Sequence, residues 1–87
     1  MDGITCKAIL LVLQPKRRDT ATCVQSVFTD FGCVIRTRLG LHDAGSKCSN
    51  AGLIVLELVG DTRQHKKLAA SLNKIKGVKT KLVNACF

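Results

Sequence analysis

"CVIRTRLGLHDAGSKCSNAGLIVLELVG", residues 33–60, contains two strand-like runs on either side of a polar, glycine-bearing stretch. In "CVIRTRLGL" (33–41) the residues alternate. Cys33, Ile35, Leu39 and Leu41 fall on one side, with Arg36, Arg38, Gly40 and then His42 on the other. A period of two is the signature of a strand. "GLIVLELVG" (52–60) reads as a second strand, apolar on both parities apart from Glu57. Joined as a hairpin, the two leave residues 43–52 as a connection of ten, well beyond the usual two to about five residues.

Before this hairpin, "ITCKAILLVL" (4–13) reads as a buried strand bounded by Pro15 and the basic turn Lys16-Arg17-Arg18. From Asp19, a residue suited to an N-cap, Val24, Val27, Phe28 and Phe31 recur at helical spacing until Gly32. After the hairpin, Asp61 with Gln64 three residues on has the pattern of a capping box. Leu68, Ala69, Leu72 and Ile75 then form a second helical stripe, closed by Gly77, and "VKTKLVNACF" (78–87) returns as a strand. The order β-α-β-β-α-β predicts an α+β, ferredoxin-like sandwich: a four-stranded antiparallel sheet with both helices on one face. With 87 residues, the chain is read as one domain, 1–87.

Two helices cover one face of such a sheet. The first and third strands are nonetheless apolar on both parities, whereas a strand wetted on one face should alternate. The expectation is a homodimer or higher homo-oligomer packed through the helix-free face, because leaving several Val and Leu side chains in water costs roughly 1.5–3 kcal/mol each. Counting parity through the hairpin puts Arg36, Arg38 and His42 on that same open face, with one arginine opposite Glu57.

The formal charge of +8 predicts an anionic partner. Trp and Tyr are absent and Phe occurs three times, so the strand aromatics on which sheet-type binders stack bases are missing. A small anionic ligand is therefore ranked above nucleic acid, and a basic nucleic-acid-binding module is the alternative. Arg36, Arg38, His42 and the loop residues Ser46, Cys48, Ser49 and Asn50 are the candidate ligand contacts. Two arginines on one strand face can share a carboxylate or phosphate, and a glycine-bearing loop offers backbone N–H groups.

His42 and Cys48 are also the candidate ligands for a nickel- or zinc-sensing site, a further alternative. A Cys48 nucleophile with His42 as base lacks an orienting third group and an oxyanion donor, so no enzyme is expected. The residues do not identify a cofactor.

Five cysteines without a C-x-x-C pair carry no zinc signature. Cys6, Cys23, Cys33 and Cys86 fall in expected helix or strand and are read as reduced, small apolar residues in a reducing compartment. The longest apolar runs fall short of the ~20 residues of a membrane helix, and the N-terminal residues lack a signal-peptide pattern. These readings predict a cytoplasmic protein with no membrane partner.

Taken end to end, "RTRLGLHD" (36–43), "CSNAGLIVLELVGD" (48–61) and "LNKIKGVKTKLV" (72–83) resemble the small ACT-like proteins known as iron-only hydrogenase system regulators, or transcriptional regulators. The resemblance spans nearly the whole chain. It implies an ACT-like domain that oligomerises and senses a small molecule. With no helix-turn-helix of its own, it would regulate through a partner. The implied fold is also similar to the metal-sensing domain of nickel-responsive regulators, which use strand histidines and a cysteine; His42 and Cys48 are the residues here that answer to that pattern. Ordinary ACT domains bind amino acids near a glycine-containing turn after the first strand, where this chain has "LQPKRRDTA" (13–21), without glycine.

Overall fold

The computed structural model describes residues 6–15, 17–42 and 52–86. Strand β1 (Cys6–Gln14) leads to helix α1 (Arg17–Asp30), and a 3₁₀ turn (Gly32–Val34) leads into β2 (Ile35–His42). Then follow β3 (Gly52–Leu58), helix α2 (Thr62–Asn73) and β4 (Lys79–Cys86). The strands form one antiparallel sheet in the order β2-β3-β1-β4. This is the ferredoxin-like α+β topology. Among the described residues, no helix is long and apolar enough to cross a membrane.

Local chemistry accounts for the boundaries. Asp61 caps α2: its side chain accepts from the Arg63 N–H at 2.9 Å, satisfying one of the orphan amides of the first turn. Gly77 stops the following turn with φ +86°, a left-handed conformation that only glycine adopts without penalty. Helix α1 begins at Arg17, two residues earlier than the sequence suggests, so Asp19 lies in its first turn rather than at its cap. There its carboxylate favours the positive end of the helix dipole.

The core lies between the helices and one face of the sheet. Ala8, Leu10 and Val12 of β1 and Leu56 and Leu58 of β3 meet Val24 and Phe28 of α1 and Leu68 and Leu72 of α2, all at most 8% exposed. Polar groups inside are paired. Gln14 Nε2 donates to Thr20 Oγ1 at 3.1 Å, linking the end of β1 to α1. His65, 4% exposed, uses Nε2 on the Val59 carbonyl at 2.8 Å. A carbonyl only accepts, so Nε2 carries the proton.

The cysteines depart from the expectation of small buried apolar residues. Cys23 and Cys33 are exposed free thiols. Cys6 and Cys86 face each other across the β1–β4 ladder and form a disulfide. The expectation fails because it treated each cysteine by its own element. The pairing depends on which strand lies beside β1, a contact between residues 80 positions apart.

Candidate functional site

The hairpin of β2 and β3 decides where the candidate arginines lie. Their register pairs His42 with Gly52, Gly40 with Ile54, Arg38 with Leu56 and Thr37 with Glu57; it then slips, so that Ile35 pairs with Leu58. The extra residue between Ile35 and Thr37 is Arg36, the product of a β-bulge. The bulge reverses the parity read from the sequence. Ile35 points to the core as expected, but Leu39, which seemed to share its face, lies opposite Val55 on the helix-free side and is 56% exposed. A one-residue shift flips every side chain beyond it.

Arg38 is therefore on the helix-covered face, a correction to its placement on the open one. Its Nη1 donates to Gln25 Oε1 of α1 at 2.9 Å, and its guanidinium sits 5.6 Å from the Phe28 ring centroid. These contacts, at a cavity of about 240 Å³ shared with Gly40 and Ile54, make Arg38 a strap between β2 and α1. By register, position 42 has the parity of Arg38 rather than of the open face. The side chain of His42, and Ser46, Cys48, Ser49 and Asn50 with it, lie outside the described residues.

Neither arginine pairs directly with Glu57. Its carboxylate accepts from Lys7 Nζ at 3.3 Å and from Thr37 Oγ1 at 3.2 Å. Lys7 reaches it diagonally from β1, where Ile9 stands directly opposite Glu57. The Lys7 hydrogen bond first, then that of Thr37, holds the Glu57 carboxyl below its ordinary value, with Arg36 adding a weaker electrostatic pull. Arg36 itself is exposed and makes no hydrogen bond or ion pair among the described residues.

The helix-free face is the broad surface that the sequence anticipates. Ile9, Leu11 and Leu13 of β1, Leu53 and Val55 of β3, Leu39 of β2 and Val83 of β4 share it by register. Leu13 is 44% and Val83 37% exposed. Lys79 and Lys81 of β4 pair with Leu13 and Leu11 and give the apolar field a basic margin. Sequence reasoning found this face but placed Arg36, Arg38 and His42 on it together, whereas the register puts Arg38 and position 42 on the helix-covered side.

Two cavities flank the ends of the sheet. One, of about 310 Å³, is bounded by Cys6, Leu58, Gly60, Thr62, His65 and Asn84, where α2 begins. The other, of about 530 Å³, lies between the β1–α1 turn and Gly77, with Asp19, Thr20 and the Cys23 thiol on its wall. Neither was expected from the sequence, because each gathers residues from distant parts of the chain. Among the described residues, no cluster of three His, Cys, Asp or Glu side chains could hold a metal ion.

No protein-family model and no curated protein matches the sequence. Solved structures do match. An uncharacterized protein from Thermotoga maritima superposes with a TM-score of 0.76 at 24% identity, over 94% of this chain and 98% of that one. CPII, a nitrogen regulatory PII-like protein from Thiomonas intermedia bound to ADP, AMP and bicarbonate, superposes at 0.67 with 4% identity, over 98% and 96%. The ACT domain from GTP pyrophosphokinase of Chlorobium tepidum does so at 0.58 with 21% identity, over 93% and 100%. At these identities the likeness is one of fold, and the chain is a ferredoxin-like domain similar in architecture to ACT and PII-like proteins.

Proposed function

We propose that the chain is a non-enzymatic regulatory domain that assembles as a homo-oligomer through its helix-free sheet face and binds a small anion at the margin of that interface. The observation that carries this reading is the bare apolar field of Ile9, Leu11, Leu13, Leu39, Leu53, Val55 and Val83 with lysines along one side. A second copy is its natural occupant. Stacking two such faces removes apolar surface from water on both partners at once. Lys79 and Lys81 on the β4 margin and Arg36 on the opposite, β2 margin supply cations suited to a carboxylate or phosphate at the rim of such an interface. That CPII binds ADP, AMP and bicarbonate on the same fold supports an anionic metabolite as the ligand class.

In this reading the chain acts in the cytoplasm and passes its ligand state to a partner, transcriptional regulation being one such output. The test has two arms. Sedimentation velocity at micromolar concentration should show a dimer or larger species, and ADP, AMP or bicarbonate should raise the thermal midpoint, with Arg36→Ala reducing the gain. A monomer whose midpoint none of these anions moves would overturn the reading. A nucleic-acid module would instead bind DNA or RNA with affinity falling steeply between low and moderate salt.

A further inference from the structure

The end of β4 is held differently from its beginning. Asn73 of α2 reaches Thr80, whose N–H and Oγ1 both donate to Asn73 Oδ1, at 3.1 and 3.0 Å. Leu82 is the last β4 residue packed against the core. Val83, Asn84, Ala85 and Cys86 are all exposed. β4 is an edge strand, so these four residues have a backbone ladder to β1 on one side and, among the described residues, no strand on the other. A ladder without buried side chains opens at little free-energy cost. The Cys6–Cys86 disulfide closes that segment at its last residue, and both cysteines are exposed to an attacking thiol. Cys6 and Asn84 also stand on the wall of the 310 Å³ cavity beside His65.

We propose that Cys6–Cys86 is a thiol–disulfide exchange site whose redox state fastens or frees residues 83–86. Its substrate class is a small anionic thiol such as glutathione, drawn by the basic chain, or a dithiol protein. A thiolate attacks one sulfur, the Sγ–Sγ bond breaks, and the other cysteine leaves as a thiolate that takes up a proton. A second thiolate then attacks the sulfur of the bound RS group, RSSR forms, and the remaining protein cysteine leaves as a thiolate that takes up a proton. The net reaction converts the protein disulfide and two RSH to two protein thiols and RSSR, with two electrons and two protons passing to the protein. Exposure makes such a bond a labile one, accessible from either direction. In the reduced form the end of β4 frays, uncovers the backbone edge of β1 at Cys6–Ile9, opens the cavity wall at Asn84 and removes Val83 from the bare sheet face.

The test is to equilibrate the intact protein across glutathione ratios, trap thiols by alkylation, map them by peptide mass, and follow amide hydrogen exchange in the same samples. The expected result is one reversible transition in which Cys6 and Cys86 gain label together. The amides among 83–86 that donate to β1 should then exchange at least about tenfold faster in the reduced form, with those of Leu10 and Leu56 unchanged. Cys86→Ser should exchange like the reduced form at every ratio, whereas Cys23→Ser should leave the transition in place. A bond mapped to other cysteines, a bond that survives every ratio, or reduction without faster exchange at 83–86 would each overturn the proposal. The wild-type measurement stands even if Cys86→Ser fails to fold.

Discussion

On the helix-covered side of the sheet Leu10, Val12 and Leu56 have no exposed surface; on the other side of the same strands Leu13 is 44% exposed, and Leu39 of β2 is 56% exposed. The residue types match, so composition does not separate the two faces. What separates them is coverage: α1 and α2 supply Val24, Phe28, Leu68 and Leu72 to one side, and among the described residues no helix lies on the other. The polar residues follow the same division. Arg38, on the covered side, is fastened to Gln25 and Phe28, whereas Arg36, set out by the bulge, has no such contact. An apolar residue on a strand thus reports that something will cover it, not what.

This contrast can be broken deliberately. Leu56→Ala on the covered face should lower stability by about 3 kcal/mol, read from the urea midpoint at unchanged slope, because it leaves a cavity among fully packed neighbours. Leu39→Glu on the bare face should do the opposite. Unfolding stability of the monomer stays within about 0.5 kcal/mol, while self-association measured by sedimentation weakens at least about tenfold. Comparable losses of folding stability in both variants would abolish the distinction between the faces. Arg38→Ala should cost about 1 kcal/mol through the lost Gln25 bond and the Phe28 contact, against at most about 0.5 kcal/mol for Arg36→Ala.

The smallest effect concerns Glu57. Its folded-state pKa is lowered by Lys7 and Thr37, so the stability it adds is complete above the unfolded carboxylate value. That stability is lost as pH falls through the lower folded value. Glu57→Gln should therefore flatten the acid limb of a plot of stability against pH, and leave the neutral region nearly level. An acid limb identical to wild type would remove Glu57 from the account.

The six main elements were legible because each is announced locally: Val24, Val27, Phe28 and Phe31 at helical spacing, Asp61 as a cap, alternating lysines in the last strand. The apolar bare face was legible for the same reason, since both parities of "AILLVL" and "LIVLEL" can be counted. The candidate site was less so. "VIRTRL" alternates equally well on either side of a bulge, and nothing in those six letters marks Arg36 as the residue set out of register. Across the bulge Ile35 meets the core beside Leu58 while Leu39 stands opposite Val55. That register is a relation between strands, which the local alternation of six residues does not carry.

Local pattern was enough to specify a β-α-β-β-α-β sandwich with an apolar sheet face left over, because periodicity, caps and turn glycines act over a few residues. It took the packed fold to make Arg38 a strap to a helix, Glu57 the partner of Lys7, His65 a buried tie to Val59 and Cys6 the bonded partner of Cys86. Each of those depends on strand order and register, which bring together residues from distant parts of the chain and are set by the core as a whole.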